Sequence, residues 1–180
     1  NSRLTSLFGL PDSLSCAKVS IVGNTALTTL AGIPDLPRAR EMTLSGHGEL
    51  ALDGLGDVRN VADLDLIRVG DISAFGDSAD WPALTDLELG DLRGVQSLDG
   101  LPSLPALRVL EIRDCDELQT LGRRGHYPEL WTLRISRNDR LADLGAFAAL
   151  PSLRLLECAD NDSLRTLAGV GAVPNLRTLS

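Results

Sequence analysis

Residues 107–138 read LRVLEIRDCDELQTLGRRGHYPELWTLRISRN, and the apolar spacing within them decides the fold. Leu110 and Ile112 alternate with Glu111 and Arg113, the pattern of a strand with one buried face. Cys115 closes that strand. Apolar residues then return every third position at Leu118 and Leu121, and again at Tyr127, Leu130 and Leu133. A spacing of three suits neither a long amphipathic helix nor a strand. It suits short 3₁₀ turns and extended arcs that dip back to one core.

The same register runs along the chain. Val19, Met42, Leu64, Leu87, Leu110, Leu133, Leu156 and Leu179 open equivalent segments, 23 residues apart except for 22 between Met42 and Leu64. Pro34, Pro82, Pro105, Pro128, Pro151 and Pro174 precede the next strand and argue against a helix running into it. A fixed period in the low twenties marks a solenoid, one short unit stacked repeatedly. The expectation is a row of short strands on one side and a mostly irregular opposite side.

The pattern L-x-x-L-x-L/I-x-x-N/C-x-x-L-x-x-L resembles the leucine-rich repeat family, and the resemblance covers the whole chain. It implies an α/β solenoid: a right-handed horseshoe or arc with a concave parallel β-sheet and a mostly irregular or 3₁₀ convex side. It also implies that Asn24, Asn138 and Asn161 form a ladder of amides satisfying backbone groups in the turn after each strand. Buried amides need such partners. His47 and Cys115 stand in the same column and can substitute in part. Val69 and Leu92 cannot, so the ladder should be interrupted mid-array.

Residues 1–180 read as a single array of about seven to eight repeats. The register reaches back to Asn1, and Leu179-Ser180 falls inside a further strand, so the expectation is an interior, uncapped slice of a longer protein. No run of 18 apolar residues and no signal-peptide pattern is present. Cys16, Cys115 and Cys158 all fall on inward positions, and an odd count favours free thiols in a reducing, cytoplasmic setting.

In an in-register parallel sheet, equivalent residues stack about 4.8 Å apart. The outward strand column runs Ser20, Thr43, Asp65, Glu88, Glu111, Arg134, Glu157. Before the strand anchor run Lys18, Glu41, Asp63, Asp86, Val109, Thr132, Leu155; after the strand run Gly23, Gly46, Arg68, Asp91, Asp114, Arg137, Asp160. Glu111–Arg134–Glu157 and Asp114–Arg137–Asp160 alternate in sign and should pair. In the middle, Asp63, Asp65, Asp86, Glu88 and Glu111 set like charge beside like charge, a repulsion of about 1 kcal/mol for adjacent carboxylates. No local return for that cost is evident.

The candidate partner-binding face is therefore Asp63, Asp65, Arg68, Asp86, Glu88, Asp91, Glu111, Arg113, Asp114, Arg134, Arg137 and Glu157. With a formal charge of −8, it suits a protein or peptide with a basic surface, or else simply serves solubility. Nucleic acid is disfavoured for want of a basic stripe. A second candidate edge is Arg123, Arg124, His126 and Tyr127. There Ser78 and Arg124 replace the usual inward apolar residue, and Trp81 or Tyr127 could instead fill the gap.

His47 and His126 are the only histidines, and neither sits with a nucleophile in a catalytic pattern. No phosphate-cradling loop appears. We expect no catalysis, no metal or other cofactor and no membrane contact in this segment. The stretches LPALRVLEIRDCDEL and LPSLRLLECADNDSL resemble arrays that follow the nucleotide-binding module of plant and bacterial immune receptors, and arrays of bacterial proteins with a NACHT-type ATPase. That implies a ligand-sensing, autoinhibitory region contacting the rest of the same parent chain. A substrate-selecting array of a bacterial effector enzyme and a cell-surface adhesive or structural array are the alternatives.

Overall fold

The computed structural model describes residues 3–52, 55, 59–70, 72, 81–122, 127–144, 149–167 and 170–180. Its strands are β1 (Lys18–Val22), β2 (Glu41–Ser45), β3 (Asp63–Ile67), β4 (Asp86–Gly90), β5 (Val109–Arg113), β6 (Thr132–Ser136), β7 (Leu155–Ala159) and β8 (Thr178–Leu179). They form one parallel sheet in sequence order, each strand hydrogen-bonded to the next. The anchors Val19, Met42, Leu64, Leu87, Leu110, Leu133, Leu156 and Leu179 are in register throughout. The chain is a parallel β-solenoid.

The three-residue spacing has a direct structural cause. Successive inward residues are joined by single i→i+3 turns: Leu118 N–H donates to Cys115 O at 3.0 Å, and Leu130 N–H to Tyr127 O at 3.3 Å. Leu101 N–H donates to Leu98 O at 3.0 Å in the same way. Each turn reverses the chain just enough to return an apolar side chain to the core. The described residues hold no α-helix, so the parallel sheet and irregular turns of the expected class are present and its α part is not shown. Isolated i→i+3 turns and the prolines before each strand leave no room for a continuous i→i+4 ladder.

Leu110 and Ile112 of β5 and Leu133 and Ile135 of β6 are fully or almost fully buried, and they merge with Leu118, Leu141 and Leu144 into one continuous apolar column. Trp81 and Tyr127 belong to it as well, at 1% and 6% exposure. They stand in the column held elsewhere by Leu36, Leu104, Leu150 and Val173, six residues before the strand anchor. Burial raises the Tyr127 phenol to about 12, with the charge of Asp99 adding to the shift. At the last turn the column thins, and Leu167 is exposed.

Two sets of polar residues close the corners. After the strand, Asn138 is completely buried; its Oδ1 accepts Cys115 N–H at 3.0 Å, and its Nδ2 donates to Ser136 O at 2.9 Å and Ile112 O at 3.3 Å. Asn161 repeats the arrangement toward Asn138 N–H, Ile135 O and Ala159 O. His47 reaches Ile21 O at 2.9 Å through Nε2 and Asn24 O at 3.1 Å through Nδ1. Cys115 Sγ makes a longer contact of 3.3 Å to Arg113 O. Val69 and Leu92 are buried in this column with no polar atom to contribute, so the ladder is interrupted there as expected. On the far side, Thr29, Ser97 and Thr120 hydroxyls accept the N–H two residues on, at 3.1, 3.1 and 3.3 Å. Short isolated bridges such as Ser97↔Thr120 and Thr120↔Asp143 link these corners.

The chain needs a left-handed backbone to leave each strand. Gly23 and Gly46 supply it first, at φ of 66° and 75°. Arg68, Asp91, Asp114, Arg137 and Asp160 then take φ between 49° and 57° in the same column. Asp tolerates this region better than most residues, whereas Arg has no local bond to offset the cost.

Replacing Asn138 by Ala should lower unfolding free energy by about 3 kcal/mol, because several buried backbone groups lose their partner. Asn161→Ala should cost less, since that residue is only half-buried and water can take over. Urea denaturation of both variants checks the order, and an equal or reversed cost would remove the ladder from its structural role.

A charged face on the outer side of the sheet

Strand alternation turns the second and fourth residues of each strand inward and the central residue outward. The parallel register then stacks the outward residues: Asp65 pairs with Glu88, Glu88 with Glu111, Glu111 with Arg134, and Arg134 with Glu157. Glu41, Asp63 and Asp86 stack beside them at the first strand position. The candidate residues of the face therefore do lie in contiguous columns.

Their pairing differs from the expectation in the middle of the sheet. Glu88 does not stand uncompensated: Arg113, at the last position of β5, reaches back across the sheet and donates from Nε at 2.7 Å. Arg113 also lies 3.3 Å from Asp114, and Arg137 forks onto that same carboxylate at 2.6 and 2.9 Å. Arg137 thus takes Asp114 and makes no bond to Asp160. Glu111 has Arg134 at 3.9 Å, Glu157 has the same guanidinium at 3.3 Å, and Arg68 holds Asp91 at 2.6 Å. The local return for Glu88 comes from an arginine one turn and two strand positions away. These pairs are half-exposed, so each contributes at most about 1 kcal/mol.

The unneutralised acid contracts to Asp63, Asp65 and Asp86. Asp65 accepts a hydrogen bond from Thr43 Oγ1 at 3.0 Å, and Asp86 from Thr85 Oγ1 at 2.7 Å. Neither donor carries charge. Among the described residues Asp63 has no side-chain hydrogen bond or ion pair. Desolvation first, and then the charges of Asp65, Asp86 and Glu41, push its carboxyl above the ordinary range. Asp114 moves the opposite way: the Arg137 hydrogen bond holds it below that range, with Arg113 assisting.

Of the second candidate edge only Tyr127 is among the described residues. Tyr127 points into the core because its position falls on an inward column, while Arg123, Arg124 and His126, like Ser78, lie outside the described residues. The cysteines carry no disulfide, and burial raises the Cys115 thiol to about 11, which makes it inert as a nucleophile. Both ring nitrogens of His47 are occupied by backbone carbonyls. Among the described residues, no group of three His, Cys, Asp or Glu is placed to hold a metal ion, and no helix is long and apolar enough to cross a membrane.

One assembly escaped the sequence reading. Trp131 is exposed, with the guanidinium of Arg154 at 4.5 Å and that of Arg108 at 5.6 Å from its ring centroid. The signal was present as Arg108, Trp131, Arg154 and Arg177 at 23-residue spacing, but that column lies just before the strands and outside the three that were stacked.

The two carboxylates titrate with opposite consequences. A raised folded-state value means the folded chain holds the Asp63 proton more tightly, so Asp63 weakens the fold at neutral pH and relaxes as pH falls through that value. Asp63→Asn should raise Tm at pH 7, with the gain fading in mild acid. Asp114 stabilises above its unfolded-state value and loses that contribution as pH falls through its depressed one. Asp114→Asn should lower Tm at pH 7, with the penalty vanishing only in strong acid. Asn tolerates the left-handed backbone at that position, so the charge is what changes. Melting curves from pH 7 to pH 3 check both signs.

Comparison with known proteins returned no match, whether to protein-family models, curated proteins or solved structures.

Proposed function

We propose that this chain is a protein-recognition module of the leucine-rich repeat type, whose outward acidic face takes a basic surface of a protein or peptide. The observation that carries the reading is the contiguous Asp63–Asp65–Asp86 cluster, where a solenoid otherwise well supplied with arginines leaves like charges stacked. Such stacking opposes folding, and a cationic partner would relieve it on binding. The leucine-rich repeat assignment is supported by the 23-residue period together with the Asn138 and Asn161 ladder.

In the same reading, the array is the ligand-sensing and autoinhibitory region of a larger nucleotide-switched bacterial protein of the NACHT type. The support for that part is the resemblance of residues 104–118 and 150–164 to such arrays. The segment itself acts by binding and not by catalysis.

The test is affinity capture with the parent protein. Wild type is compared with Asp63→Asn/Asp65→Asn/Asp86→Asn and with a control of equal charge, Asp12→Asn/Asp116→Asn/Asp162→Asn, drawn from exposed acids off the strands. The first triple variant should lose a basic partner while melting at an unchanged or higher temperature, and the control should retain it. Identical partners in all three samples would reduce the face to a solubilising surface.

A further inference from the structure

Among the described residues, arginines without a carboxylate partner form a column just before the later strands. Just before the strands, the backbone ladder continues for one more rung: Trp131 N–H donates to Arg108 O at 2.8 Å, Arg154 N–H to Trp131 O at 2.9 Å, and Arg177 N–H to Arg154 O at 2.8 Å. Arg108, Trp131, Arg154 and Arg177 are therefore successive rungs, and all four are exposed. Arg108 and Arg154 bracket the indole ring of Trp131. Cation–π contact of this kind holds long side chains in place and leaves the N–H edges of the guanidinium free.

Those edges have no carboxylate to take. Among the described residues Arg108, Arg154 and Arg177 make no ion pair, whereas Arg68, Arg113, Arg134 and Arg137 on the sheet face all do. Beside the ridge, the first strand position also changes character. It is Lys18, Glu41, Asp63 and Asp86 in the first half of the sheet, but half-buried Val109, Thr132 and Leu155 next to the ridge. A cationic, aromatic column beside a neutral, partly apolar one is a surface for an amphipathic acidic partner. Trp and Arg are also the residues that most often dominate binding energy at protein interfaces.

We propose that the Arg108–Trp131–Arg154–Arg177 ridge, with Val109 and Leu155 beside it, docks a carboxylate-bearing amphipathic helix of a partner protein. The spacing selects a helix. Rungs about 4.8 Å apart place Arg154 and Arg177 about 9.6 and 14.4 Å from Arg108. Helical carboxylates at i, i+7 and i+11 lie about 10.5 and 16.5 Å along their axis, within the reach of arginine side chains. An apolar residue at i+3 or i+4 then meets Trp131. In an extended partner, same-face residues recur about every 6.8 Å; the second, at about 13.6 Å, falls near Arg177, but the first lies between Trp131 and Arg154 and meets neither squarely. Single-stranded nucleic acid is the weaker fit, because the arginines already bracket the ring on which a base would stack. The ridge meets the acidic cluster at one end, where Asp86 pairs in register with Val109, but Trp131, Arg154 and Arg177 lie one to three rungs further along, so either surface can fail without the other.

The probe is a labelled synthetic helical peptide with Glu at i, i+7 and i+11 and Leu at i+3 and i+4, titrated into the full chain by fluorescence anisotropy. It is compared with a scrambled peptide of the same composition and with a single-stranded oligonucleotide. The patterned peptide should bind at least tenfold more tightly than the scrambled one. Arg108→Glu/Arg154→Glu should weaken it at least tenfold, and Trp131→Leu several-fold, with melting unchanged. Arg177→Glu, at the end of the ridge, keeps the test open if the double variant misfolds; it too should weaken binding several-fold. Equal binding of patterned and scrambled peptides, indifference to the substitutions, or preference for the oligonucleotide would overturn the proposal. So would self-association abolished by Asp63→Asn/Asp65→Asn/Asp86→Asn, which would identify the occupant as the acidic face of a second copy.

Discussion

Leaving the strand is the step on which every turn of this solenoid depends. The chain must reverse sharply there while its backbone groups are buried against the turn before, and a buried unpaired amide or carbonyl costs about as much as several good apolar contacts gain. Asn138 and Asn161 meet that constraint from both sides, accepting an N–H and donating to two carbonyls each. His47 does part of it, its ring lying within hydrogen-bond distance of two carbonyls and donating to one of them in either neutral tautomer. Where Val69 and Leu92 take the place, the corner relies on the backbone bonds between turns and on packing. The left-handed residues in the adjacent column belong to the same manoeuvre, which is why a strained φ is tolerated at Arg68 and Arg137.

The register that builds the core also dictates the surface. An in-register parallel sheet cannot stack leucine on leucine inside without stacking outward residue on outward residue, so every charge column becomes a ladder. Where the sign alternates, as at Glu111, Arg134 and Glu157, one guanidinium serves the carboxylates on either side. Where it does not, arginines from other columns intervene, as Arg113 does for Glu88. Asp63, Asp65 and Asp86 are the residue of that process on one half of the sheet. The ridge around Trp131 is its counterpart on the other half, cations stacked without anions. Both surfaces follow from one rule of geometry applied to different columns.

Much of this was legible in one dimension because a solenoid is close to one-dimensional: each turn contacts only its neighbours, so a linear period maps directly onto stacking. The strand anchors, the inward columns, the ladder with its break at Val69 and Leu92, and the membership of the charged columns all follow from position modulo the period. The three-residue spacing is carried by isolated turns, with no α-helix among the described residues. Of the two places the sequence leaves open for Tyr127, an edge or the core gap, the structure has the core, on an inward column six places before an anchor where Leu104 and Leu150 are also buried.

What sequence alone determined was therefore the repeat: which residues share a column, and which columns face the core. The tertiary structure decided the partners between columns. Arg113 reaching Glu88, Arg137 choosing Asp114 over Asp160, and Arg108 and Arg154 closing on Trp131 each depend on where a long side chain travels across the surface. Periodicity sets Cα positions, but a guanidinium several bonds away can serve any of several neighbouring columns. Only the three-dimensional placement of competing carboxylates and rings selects among them.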